Sequence, residues 1–521
     1  MGRWHLNVLR RVKFFFFQIS LTRFTLAFFL LSFTHCFAQG LIQAFLFNGD
    51  WNAQSLVSTI IHTGDVSTTQ LPWLTRNSTG YELKLCTSVP LGLSPDQQNC
   101  TTVFHEPSDG SINRRRENPE NQDAPTVPKG SQNKDMTIVK VRAADGTIDG
   151  VNVTFGRKTQ NVTIHTDCLK VLQYPLQVLR FSKNEEVALV GSQFWLLGIS
   201  IFALVYQSIP HVVAVFCMRI LSTGWSAYTI WRTKDVEMRF DHLLNAPNTA
   251  CQLEHSQFDL FPGYFQYRTA VQIPDLVLNV SALMFTAYFG WYLIRDFATH
   301  TFRFAGPPPK IVRLYRYLLA VSVCLQMSLY LFVTSASLWA NQLLESPVST
   351  VASYTKLYIA IFIATMVTFI PWMSIGWHAV KKEKTIPMMI FLAVSVFYVV
   401  GSAVMFHSKT YDWTYINWPF FASLTTASFV VFIAGTLLAV VVWINFNQGL
   451  ATWLRVEEVL ADTDFQPDTF THDVENNKAP PLSPTTGGFK HDVNWSFSND
   501  QNPPIFVVEQ LHYGGRPSQA R

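Results

Sequence analysis

Four side chains inside the apolar stretches of this sequence could do chemistry at membrane depth: Arg219, Asp275, Asn279 and Gln326. Polar groups there bind ions, relay protons or hold helices together, because hydrocarbon offers them no other partner. Arg219 has two readings. It can pair with Asp275 across neighbouring spans as a switchable ion pair, or snorkel towards an interface and pack between helices. Asn279 reads as an interhelical hydrogen-bonding residue. His211, His378 and His407 fall at span ends, and a metal site of His211, His378 and His300 would lack any supporting H-x-x-x-H or H-E-x-x-H spacing. The sequence contains no G-x-S-x-G elbow and no G-x-x-x-x-G-K phosphate loop. No catalytic residue, metal or cofactor is expected, and the chain reads as non-enzymatic.

The surroundings of these residues explain why their depth matters. Of 521 residues, 49% are hydrophobic and only 14% charged, against about 25% charged in an average globular chain. The charge deficit comes with apolar blocks at 187–207, 211–231, 272–294, 312–340, 353–378, 386–407 and 419–446. Each is long enough for the ~20 residues that cross a ~30 Å hydrocarbon core. A lipid bilayer is therefore the expected partner. The net charge of +4 and the absence of any nucleic-acid module exclude nucleic acid.

Between the first two blocks lies Gln207-Ser208-Ile209-Pro210-His211. One helix from Val187 to Trp231 would be about 65 Å long, whereas a bilayer with headgroups measures about 40–45 Å. The stretch reads as a tight turn between two spans. Basic residues set the sidedness. The 295–316 and 378–386 loops are rich in Lys and Arg, while 341–352 and 408–418 hold one lysine between them, Lys409. Basic loops stay cytosolic. Seven spans with the N-terminus outside and the C-terminus in the cytosol follow.

The start carries Arg3, Arg10, Arg11 and Lys13 ahead of apolar residues through Phe33, then Cys36-Phe37-Ala38. This reads as a signal peptide, 1–38, with an uncleaved signal anchor as the alternative. Residues 39–186 are expected to form a small β-rich ectodomain with glycosylation acceptors Asn77, Asn99, Asn152 and Asn161. Its Asp-Gly pairs at 145–146 and 149–150 suggest hairpin turns, and a charged, Pro-rich insertion at about 105–135 reads as disordered. Cys86, Cys100 and Cys168 make an odd number in this region, and Cys251 in the 232–271 loop completes two disulfides with the pairing left open. After the 187–446 helical domain, the 447–521 tail opens with an amphipathic stretch at Leu450–Leu460. It also carries Lys478, Pro481 and Pro484 in a pattern that fits an SH3-type groove on a cytosolic protein.

The stretches SIPHVVAVF, FPGYFQYRTAVQIPDLVLNV, TFIPWMSIGWHAV and WINFNQGL resemble an uncharacterised fungal family of polytopic membrane proteins. The resemblance implies one integral membrane domain over about 193–454 and no particular activity. The expected fold is an all-α seven-helix membrane bundle with a β-rich N-terminal domain and a disordered tail. The expected role is a receptor-like sensor of an extracellular or membrane ligand. A transporter or channel is the alternative, and a membrane scaffold a second one. The large receptor class's acid-Arg-aromatic triplet and Asn-Pro-x-x-Tyr turn are missing at Ile294-Arg295-Asp296 and Ile444-Asn445-Phe446.

Overall fold

In this computed structural model residues 19–20, 22–77, 80–91, 99–106, 136–143, 148–155, 160–245, 250–251, 260–261, 263–301, 308–352 and 355–462 are described. All of them belong to the first of two units, 1–465 and 466–521. The tail positions Lys478, Pro481 and Pro484, and most of the 105–135 insertion, lie outside the described residues. Glu106, within that expected insertion, is buried and accepts from the Tyr81 N–H at 2.8 Å.

Helix α1, Arg23–Thr63, has no proline in its 41 residues and starts at a Thr22–Thr25 capping box. Two three-stranded antiparallel meanders follow: β1 (Leu71–Asn77), β2 (Gly80–Cys86), β3 (Cys100–His105), then β4 (Met136–Arg142), β5 (Ile148–Phe155), β6 (Gln160–His165). The chain then becomes helical through α2 (Thr166–Val171), α3 (Gln173–Val205), α4 (Ile209–Leu244), α5 (Tyr264–Thr301) and α6 (Pro309–Glu345). The remaining helices are α7 (Val348–Val351), α8 (Thr355–Lys382), α9 (Thr385–Met405), α10 (Lys409–Asn417), α11 (Pro419–Ile444) and α12 (Leu450–Asp462).

Among the described residues eight helices are long and apolar enough to cross a membrane, one more than expected. The eighth is α1, which runs unbroken through the cleavage position expected at Ala38-Gln39. Residues 39–63 belong to this helix and not to the β-rich region, which starts at Leu71. The physical reason is continuity: the apolar run from Phe24 continues past Ala38 as a helix that buries Gln39, Gln43 and Leu46 against its neighbours. Its opposite face exposes Leu26, Leu30, Phe33, Phe37, Leu41 and Phe45, the inside-out pattern of a helix facing lipid.

The chain turns round at Tyr206–Ser208. Gln207 takes a left-handed φ of 47°, Ser208 N–H donates to the Ala203 carbonyl at 2.9 Å, and Pro210 sits in the first turn of α4, where its missing N–H is not needed. Asp149-Gly150, expected as a hairpin turn, lies inside β5 instead. A Cβ at Gly150 would stand 2.2 Å from the Ile164 carbonyl oxygen, so glycine there serves close strand approach. The 145–146 pair is outside the described residues.

The strands rest on one end of the helices. The outer ends of α1 and α4 share a core with both sheets through Val57, Ile60, Leu83, Val151 and Phe240. Trp73 of β1 meets Trp413 of α10 edge-on at 6.1 Å, and Thr350 donates to the Thr69 carbonyl at 3.2 Å. The 346–352 and 406–418 connections therefore lie at the β-rich end. At another site Leu450 of α12 is buried with Ile311 and Val380.

Two disulfides join Cys86 to Cys100 across β2–β3, and Cys168 of α2 to Cys251 in the α4–α5 connection. The second links segments 83 residues apart. Cys251→Ser should lower the unfolding free energy by roughly 2–4 kcal/mol and leave Cys168 open to maleimide. An unchanged melting temperature, or an unreactive Cys168, would contradict this linkage.

Candidate functional site

The buried seam of α1 recurs at three- and four-residue steps: Ser32, His35, Gln39, Gln43, Leu46, Asp50. That spacing keeps one face towards a partner helix. On α5 the same rhythm brings Arg268, Gln272, Asp275 and Asn279 inward, and on α3 it brings Ser182, Glu186 and Gln193. Helices α1, α3, α4 and α5 pack so that these polar seams face one another. The polar side chains lie in the interior, among buried apolar residues such as Leu196, Val215 and Met218, because only the bundle can supply their partners in hydrocarbon.

Three tiers result, about two helical turns apart, or roughly 10 Å. In the tier nearest the strands, Arg268 bridges Asp50 and Glu186, with 3.1 Å to Glu186 Oε1. Tyr264 Oη donates to Asp50 at 2.7 Å. Beside it Glu185 accepts from Arg232 at 2.8 Å and from the Trp225 indole at 2.9 Å.

In the middle tier Asp275 accepts from four side chains on three helices. Gln39 and Gln43 of α1 both donate to its Oδ1, Gln43 at 2.8 Å. Ser226 of α4 and Asn279 of its own helix donate to Oδ2, Asn279 at 3.3 Å. The carboxylate thus has a full set of donors and no cation within its shell.

In the third tier Arg219 Nη1 donates to His35 Nδ1 at 3.0 Å. Arg219 and Asp275 are not joined as an ion pair. They are linked only indirectly: Thr223 sits between the Arg219 carbonyl at 2.8 Å and the Asn279 carbonyl at 3.4 Å. Arg219 stands seven positions, about two turns, from Ser226, which holds Asp275.

Asn279 bonds to Asp275 within its own helix, through both carboxylate and carbonyl. Gln326 lies on α6, apart from the tiers, with Oε1 buried and without a hydrogen-bond partner. His211 Nδ1 pairs with Ser208 Oγ at 2.7 Å, a turn role. Among the described residues no three His, Cys, Asp or Glu side chains converge as metal ligands. Of the glycosylation acceptors, Asn77 and Asn99 are exposed, Asn152 is half-buried on β5, and Asn161 lies in β6.

Asp50, Glu185, Glu186, Arg268, Gln39 and Gln43 escaped the sequence reading. Its spans began at 187 and 272, which put Glu186 and Arg268 outside them, and the first apolar run was read as ending near Phe33. The signal that could have found them is the heptad-like recurrence of polar residues at 32, 39, 43 and 50.

No protein-family model, no curated protein and no solved structure matches the chain.

Arg268→Ala leaves two buried carboxylates sharing no cation and should cost about 3–5 kcal/mol, read as a lower melting temperature of the detergent-solubilised protein. Asp50→Asn and Glu186→Gln combined with Arg268→Met should recover much of that loss. A single variant as stable as the wild type would show that the tier does not hold the helices.

Proposed function

We propose that this multi-pass membrane protein is a receptor-like sensor, non-enzymatic, in which events at the β-rich region reach the cytosolic side through the helices. The supporting observation is the shared core: strands β2, β3, β5 and β6 pack on the ends of α1, α3, α4 and α5 with no linker between the two layers. Any displacement of the sheets must shift helix ends, since close-packed cores transmit strain. The Cys168–Cys251 bond reinforces the same joint.

Eight crossings would put both chain ends on one side. Arg295, Arg313, Arg316, Lys381 and Lys382 lie at or between helix ends away from the loops that touch the strands, which favours a cytosolic location for both ends. This revises the N-terminus-outside reading, because α1 adds a crossing. The β-rich region then faces the lumen or exterior of a secretory-pathway or plasma membrane, where its disulfides are stable.

A second reading, a transporter, draws on the polar interior of α1, α3, α4 and α5. Against a carrier of large solutes stands the small size of the two cavities that the described residues form there.

Truncation after Asp462, with surface level unchanged, should abolish the cellular response that depends on this chain. A full response from the truncated protein would contradict signalling through the tail.

A further inference from the structure

The polar interior has a chemical asymmetry. Gln39 and Gln43 each spend their amide N–H on Asp275, which turns both carbonyl oxygens away from it. Both Oε1 atoms are buried and lack a hydrogen-bond partner, as is Glu186 Oε2. All three residues are at least nine-tenths buried. They line one small cavity together with Asp275, Ser226 and Asn279. Its unsatisfied groups are all oxygen acceptors. A buried acceptor without a donor costs about 1–3 kcal/mol, so the cavity calls for a guest that bears positive charge or donates protons.

Charge counting points the same way. The interior holds the carboxylates Asp50, Glu185, Glu186 and Asp275 and the guanidinium groups Arg219, Arg232 and Arg268. Four negative charges against three positive leave one in excess. Arg268 serves two carboxylates and Arg232 one, while Arg219 is bonded to a histidine. An uncompensated charge in a low-dielectric interior is expensive. One monovalent cation restores neutrality; a divalent ion would overshoot.

We propose that this cavity binds one small monovalent cation of the sodium class, held by the Gln39 and Gln43 carbonyls and Glu186, with Asp275 orienting both amides and supplying negative charge beside it. Hard oxygen ligands without thiolate or imidazole suit an alkali ion rather than a transition metal. The cavity has room for a guest of about one water's size. Among the described residues, Thr229 lines both this cavity and a second small one beside Arg232 and Arg268. That one meets, at Phe240 and Phe265, an open groove lined by Asp235 and Asp241. The site depends on the helix geometry alone and stands whether or not the chain is a sensor.

The test uses the full chain in lipid nanodiscs. Replacing choline chloride by sodium chloride at equal ionic strength should raise the melting temperature by roughly 2–4 °C. Asp275→Asn keeps the side chain's shape and removes the charge. It should melt at the same temperature in choline and in sodium. Independently of any variant, 22Na+ should bind the wild type at about one ion per chain and be displaced by unlabelled sodium. Equal melting in choline and sodium with no 22Na+ bound overturns the proposal, as does a sodium shift that survives in Asp275→Asn. Stabilisation by micromolar calcium with none by sodium overturns the monovalent assignment. A tail truncation without phenotype would sink the sensor reading and leave these outcomes untouched.

Discussion

A carboxylate inside a helix bundle in lipid has to be surrounded by donors, and Asp275 meets that demand with side chains from α1, α4 and α5. That one requirement fixes the mutual placement of three helices. Gln39 and Gln43 reach it only if α1 lies against α5 in a single register, and Ser226 reaches it only if α4 turns the face that carries Arg219 one tier below. Apolar packing alone gives weak register in hydrocarbon, where lipid tails compete with leucine on equal terms. The polar tiers supply what apolar contact cannot.

The tiers also account for the arrangement of the two layers. Arg268, Asp50 and Glu186 close the interior just below the point where Val57, Ile60 and Phe240 begin the core shared with the sheets. Below this closure the buried polar side chains are paired inside an otherwise apolar bundle whose exterior is apolar too. Above it the pattern inverts to that of a water-soluble module, with buried Leu83, Phe104, Val151 and Val153 under exposed polar strand residues. The chain thus passes from one solvent rule to the other within a turn or two of the same helices.

Much of the helical part was legible in the sequence, because an apolar block near 20 residues has few alternatives to a spanning helix. The Gln207–His211 turn was legible from length together with the basic loops, and the four cysteines from parity. The first helix was not. A basic start, an apolar run and small residues near Ala38 read as a cleavable leader with a signal anchor as the alternative, and nothing in that pattern shows that Gln39, Gln43 and Asp50 pack against α5. The ion-pair reading of Arg219 with Asp275 failed for a related reason. Two opposite charges in neighbouring apolar blocks look like partners until α1, whose amides and His35 satisfy each separately, enters the bundle. Asp149-Gly150 was read by its turn propensity, but the tight passage beside Ile164 decides its place.

The account stands on α1 remaining part of the folded protein. The direct measurement is the intact mass and N-terminal peptide of the mature chain purified from membranes. A chain that retains the residues before Ala38 is predicted, with His35 and Gln39 on one unbroken helix. A mature N-terminus at Gln39 would remove His35 from Arg219, cut the helix that holds Asp275, and contradict the account.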